Sequence, residues 1–169
     1  RESYPTIPLP ATELNIPNPS AESLRGAHRR SFATLKERFY DAGVTRLEGA
    51  IEEAEGRGKV SLLGRLGALH HRFGESRRAE TALRDAIALD ADAMVPLVNL
   101  ATLYITESRP ARAVELLEPA QERRPRALLL NALLARAHLD LGNVEKGRSY
   151  AELVEERSPE LAGRYGISA

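Results

Sequence analysis

Val60–Ala93 reads VSLLGRLGALHHRFGESRRAETALRDAIALDADA, and its spacing recurs twice downstream at 34-residue steps. With Val60 as position one, Leu63, Leu66, Gly67 and His70 fall at four, seven, eight and eleven. Ala79, Leu83 and Ala86 fall at twenty, twenty-four and twenty-seven. Apolar residues at these intervals mark two amphipathic helices, and the small residues among them mark where the helices approach closely. A side chain at Gly67 would collide with the second helix, and Ala79 and Ala86 keep the other side equally thin.

The second copy is 94–127. Leu97, Leu100, Ala101 and Tyr104 occupy its first-helix positions, Ala113, Leu117 and Ala120 its second-helix positions, and Pro125 position thirty-two. Ser108 is expected to cap the second helix and Pro110 suits its first turn. Pro119 lies deep in that helix, where it crowds the Glu115 carbonyl, so a kink or an early helix end is expected. The third copy, 128–161, carries Asn131, Leu134, Ala135 and His138, then Gly147, Ala151, Val154 and Pro159, with Gly142-Asn143 at the turn. The residues after it, AGRYGISA, place Tyr165 at position four of a further unit or of a short cap. The C-terminal face of the third copy therefore looks poorly covered, a candidate for dimerisation or docking.

Upstream, Ser20 caps an expected helix from Ala21 with Leu24, His28, Phe32, Leu35 and Phe39 on its stripe. Gly43 is placed to end it in a left-handed turn. Val44, Leu47, Ile51 and Ala54 form a second stripe, closed by Gly56 and Gly58. Residues 20–59 thus read as a degenerate helix pair acting as a cap. Residues 1–19 hold prolines at 5, 8, 10, 17 and 19 and read as extended. Two readings of them stay open, a linker or an ordered arm, because Tyr4, Ile7, Leu9, Leu14 and Ile16 are apolar for a linker. Residues 162–169 form a tail or the start of another helix.

The three copies resemble the tetratricopeptide repeat family over Val60–Leu161, about three-fifths of the chain. The resemblance implies an all-α fold, an α-solenoid of antiparallel helix pairs wound into a right-handed superhelix, with a concave face lined by first helices. It also implies a protein or peptide partner. The family's groove positions fall here on Ser61, Gly64, Arg65, Ala68, His71 and Arg72; on Val95, Val98, Asn99, Thr102, Ile105 and Thr106; and on Leu129, Ala132, Leu133, Arg136, Leu139 and Asp140. That groove is basic in the first repeat and apolar beyond it. Chaperone-binding members grip a C-terminal carboxylate with Lys, Asn, Asn, Lys and Arg. The matching positions are Gly64, Ala68, Asn99, Leu129 and Leu133, and only Asn99 keeps the residue type. A helix or an extended apolar segment suits this groove better than a chaperone tail.

Composition narrows the alternatives. The formal charge is zero and acidic residues lie near each Arg pair, so no nucleic-acid partner is expected; the pairs read as solvated loop and helix-end charges. The chain has no cysteine, which removes disulfides and thiolate chemistry and suits cytoplasm or periplasm alike. No apolar run is long enough to span a membrane. A start at Arg1 rather than Met reads as a processed form or an excised piece, with room for a removed signal or anchor. His70 and His71 point about 100° apart on a helix, so they read as packing residues rather than metal ligands. Glu52, Glu53 and Glu55 read as a solvated face. With no phosphate loop, dinucleotide fingerprint or catalytic triad spacing, no cofactor, metal or catalytic residue is expected. The functional expectation is a non-enzymatic interaction scaffold. The alternative is a self-associating array or regulatory module, a homo-oligomer through the N-terminal arm or the C-terminal face, or a groove filled by the chain's own arm.

Overall fold

The computed structural model describes residues 33–34 and 36–168. The chain divides into two compact units, 1–35 and 36–169, and the described residues fall almost entirely in the second. The expected arm (1–19) and the helix expected from Ala21 lie outside the described residues.

One π-helical turn, Lys36–Tyr40, runs straight into α1 (Asp41–Glu53). Three helix pairs follow: α2 (Gly56–Arg72) with α3 (Ser76–Leu89), α4 (Met94–Thr106) with α5 (Pro110–Arg123), and α6 (Leu128–Asp140) with α7 (Val144–Arg157). A short α8 (Pro159–Tyr165) closes the series. Neighbours in sequence pack on each other, and α2, α4, α6 and α8 also pack in a row, each on the next. There is no strand among the described residues. The core is continuous across the second and third pairs, where Leu97, Leu100, Leu117, Leu130 and Leu134 are buried together with Leu83 of the first.

The period is built from one turn used three times. Glu75, Arg109 and Asn143 donate their amides to the carbonyls of His70, Tyr104 and His138, at 2.9, 2.7 and 2.8 Å. The residue before each donor has a left-handed backbone: Gly74 at φ 77°, Ser108 at 56° and Gly142 at 77°. This is the Schellman closure, which a residue without a Cβ adopts most easily. Ser108 is therefore not a helix cap, as the spacing had led us to expect. It holds the glycine position, and Arg109 precedes α5 without a side-chain cap bond.

Inside each pair the small residues act as anticipated. A methyl carbon on Gly67 would lie 2.4 Å from Leu83 Cγ and 3.3 Å from the Ala79 carbonyl oxygen. One on Gly147 would lie 2.8 Å from Leu139 Cγ and 3.2 Å from the Ala135 carbonyl oxygen. Asn131, standing where the other repeats have leucine, is buried and satisfied. Its Nδ2 donates to the carbonyls of Pro125 and Ala127, both at 3.0 Å, and its Oδ1 accepts from Gln121 at 3.4 Å.

Four expectations need correction. Gly43 does not end a helix. α1 runs through it, and the space its missing side chain leaves is taken by Leu69, whose Cδ2 would lie 3.0 Å from a methyl carbon there. Phe39 is not on the buried stripe. It is 63% exposed, and Tyr40 is buried in its place. The π-turn winds an extra residue into one turn, which rotates the following stripe by about one residue step, roughly 100°. The buried line is thus Tyr40, Val44, Leu47 and Ile51 against Leu66 and Leu69. Pro119 does not end its helix early, since α5 continues to Arg123. Both Pro119 and Glu115, whose carbonyl loses its donor, are exposed, so water can take the missing bond. Finally, the C-terminal face is not bare. Ala162 and Ile167 are buried against Ala132, Ala135, Ala151 and Val154, while α8 turns Glu160 and Arg164 to solvent.

Candidate functional site

The first helices differ sharply in charge. α2 carries Arg57, Lys59, Arg65 and Arg72 and no acidic residue. α4, MVPLVNLATLYIT, carries no charged residue at all. α6 carries one of each, and Arg136 and Asp140 pair with each other at 2.8 Å.

The residues expected to line the groove separate by depth. Arg65, Ala68, Arg72 and Val95 are exposed. His71, Val98, Asn99, Thr102, Ile105, Leu129 and Arg136 are half-buried. Leu133 is 1% exposed and belongs to the core, so it is not available as a lining residue; Ala132 is likewise covered, by α8. Val98, Ile105 and Leu129 each pack against the main core cluster with one side. The most open part of the expected groove is thus carried by α2 and α4, with Leu129 and Arg136 of α6 half-open beside it.

The start of α4 comes close to the middle of α2. Pro96 Cγ would lie 3.3 Å from a methyl carbon on Gly64. Around this contact lies a cleft of about 300 Å³ lined by Arg57, Val60, Ser61, Gly64, Arg65, Asp90, Ala93, Met94, Val95 and Pro96. Val95 is 63% exposed there. Of the expected groove residues, this cleft brings together Arg65 and Val95, along with Ser61 and Gly64. Arg57, Met94 and Pro96 are additions that position counting alone did not supply, because they depend on how α2 and α4 meet.

A larger depression of about 920 Å³ lies between α3, α4 and α5. Its lining guanidiniums, Arg84 and Arg112, are both held by Glu80. Glu80 accepts from Tyr104 Oη at 3.0 Å and from Arg109 at 2.9 Å, and also pairs with Arg84 at 3.1 Å and Arg112 at 3.6 Å. Burial alone would raise the Glu80 carboxyl, but the hydrogen bonds from Arg109 and Tyr104 with the nearby guanidiniums outweigh it and hold the group below its ordinary value. Arg123 and Arg124, expected as solvated charges, reach the preceding inter-repeat turn. Arg123 Nε donates to Asp92 Oδ1 at 2.8 Å and Arg124 to the Asp92 carbonyl at 2.9 Å.

His70, Tyr104 and His138 share position eleven and all are buried. His70 Nδ1 shares a 2.9 Å hydrogen bond with Tyr40 Oη. His138 stacks on Tyr150 with centroids 5.7 Å apart, and its buried Nε2 has no hydrogen bond; the Glu118 carboxylate stands 3.7 Å away. Burial first, then Arg78 for His70 and Lys146 for His138, pushes both imidazoles below the ordinary histidine value.

No family model matches the chain. No curated protein matches it either. Among solved structures, one described as a MamA RS-1 ArsTM double mutant superposes with TM-score 0.64 at 15% identity, covering 84% of this chain and 81% of that one. Another, MamA MSR-1 C2, superposes with TM-score 0.57 at 19% identity, covering 85% and 88%. The fold is a tetratricopeptide-like α-solenoid. At these identities the likeness speaks for the fold alone.

Proposed function

We propose that this chain is a non-catalytic protein–protein interaction scaffold that holds a partner's helix or extended apolar segment on the face built by α2 and α4. The observation that carries the reading is α4 itself. It has no charged residue, and it leaves Val95 exposed and Val98, Asn99, Thr102 and Ile105 half-covered beside the basic α2. Uncharged helical faces of this kind are covered by a partner more often than left to water. The tetratricopeptide-like fold supports the same reading, because stacked helix pairs offer an extended surface and no enclosed reaction chamber.

The test is a capture experiment with the immobilised chain, read by mass spectrometry. Val98→Glu and Ile105→Glu are poor probes because both side chains also brace the core. Val95→Glu touches the face alone. It should abolish partner capture while far-UV circular dichroism stays unchanged. Full capture by a folded Val95→Glu protein would remove this face from consideration.

A further inference from the structure

We infer that the cleft between the first half of α2 and the start of α4 recognises an acidic segment of a protein partner, seating one of its aliphatic side chains between flanking carboxylates. The inference rests on the docking reading above and specifies its chemistry. Three independent features converge on it.

The first is charge without a partner. Arg57 and Arg65 both line the cleft, both are exposed, and neither makes an ion pair among the described residues. Arg72 extends the row along the same basic helix. The one carboxylate in the cleft, Asp90, is turned to its own loop, where Oδ1 accepts the Asp92 amide at 2.9 Å. The acidic run Glu52, Glu53 and Glu55 ends before α2 begins.

The second is the start of α4. Its first turn lies in the cleft, has no side-chain cap bond and holds no acidic residue, so the Met94 and Val95 amides carry partial positive charge that favours an anion. That end beside the Arg57 and Arg65 guanidiniums makes a cationic rim, and guanidiniums grip carboxylates in a bidentate manner.

The third is the floor. Val60, Met94, Val95 and Pro96 form an apolar floor around Gly64, whose missing side chain lets Pro96 approach the α2 backbone. An aliphatic side chain fits that floor, while a free small anion would leave it uncovered. A peptide that supplies both groups fits the whole site.

The test uses fluorescence anisotropy with a fluorescein-labelled, end-capped peptide in which leucine is flanked by aspartates and glutamates. Two control peptides replace every acid, one by its amide and one by lysine. The acidic peptide should bind the chain, with affinity falling as salt rises. The amide peptide should bind at least about tenfold more weakly. A double variant, Arg57→Glu with Arg65→Glu, should lose the acidic peptide and gain the lysine peptide. That reversal cannot come from unfolding, and Arg65→Gln serves as a milder variant read the same way. Equal affinity for acidic and amide peptides, an unchanged affinity in the double variant, or no binding of the acidic peptide would each overturn the inference. The capture experiment separates it from the reading beneath it. If capture is lost in Val95→Glu but kept in the arginine variant, the charge assignment fails and the docking face stands. If capture survives in both, both fail.

Discussion

Repeats one and three solve the same contact in mirror image. In repeat one the first helix carries the glycine, Gly67, and the second carries Ala79. In repeat three the first helix carries Ala135 and the second carries the glycine, Gly147. Repeat two uses alanine on both sides, Ala101 and Ala113, both fully buried. What the period preserves is the distance between two helices, and either helix can supply the missing atoms. The surroundings still differ. The residue crowding Gly67 is Leu83, fully buried and held on every side, whereas the residue crowding Gly147 is Leu139, which is partly open to solvent.

That difference predicts unequal effects from one chemical change. Gly67→Ala gains about 1 kcal/mol of helix propensity but forces a 2.4 Å contact into a core that cannot yield, at a cost of about 3 kcal/mol. A net loss of about 2 kcal/mol is expected in chemical denaturation. Gly147→Ala gains the same propensity, and Leu139 can turn aside, so the net change should stay within about 1 kcal/mol. Equal losses in the two variants would mean that the repeats yield alike and that the contrast has no physical content.

The buried histidines sharpen the comparison in another direction. His70 has a hydrogen-bonded partner in Tyr40, while His138 Nε2 has none. Both titrate below the ordinary value of 6.5 because burial disfavours the imidazolium. The unfolded chain therefore takes up these protons first as pH falls. The stability they contribute is present above about pH 6.5 and drains away as pH falls through the folded values. Denaturation midpoints should decline over this interval, and His138→Phe should flatten the decline. An identical pH profile in the variant would remove His138 from the account. The smallest effect belongs to the turn that breaks the pattern. Ser108 has φ 56° where repeats one and three have glycine. Ser108→Gly should stabilise the protein by about 0.5 kcal/mol, since it removes a left-handed penalty of about 1 kcal/mol against some added chain entropy. A measured loss would show that the serine side chain contributes something the glycine cannot.

These contrasts mark how far the sequence could be read. Gly67, Ala79 and Gly142 were legible because their reasons are local, a close approach or a turn within one helix pair. Asn131 at an apolar position was visible as an exception, but its bonds to Pro125 and Ala127 were not, since they depend on the path of the preceding turn. Gly43 misled because glycine ends helices and also thins them, and composition does not distinguish the two. The exchange of Phe39 for Tyr40 followed from a single π-turn, which a fixed 3.6-residue step cannot register. In the candidate site, Arg65 and Val95 followed from position counting. The burial of Leu133 and the joining of Arg57 to Met94 and Pro96 follow from packing between repeats, on which a repeat pattern is silent.

Glu80 bears on how the array comes apart. One carboxylate joins a residue of α3 to Tyr104 of α4 and to Arg109 at the entry to α5, and the Asp92 turn of the first repeat is held by Arg123 and Arg124 from the far end of the second. Across the next junction Asn131 bonds the Gln121 side chain and the Pro125 carbonyl, and Glu118 stands 3.5 Å from Lys146 and 3.7 Å from His138. In a linear array, cooperativity is set junction by junction. Polar ties cross both junctions and one apolar core runs through the second and third pairs, so the three repeats are expected to open together rather than singly.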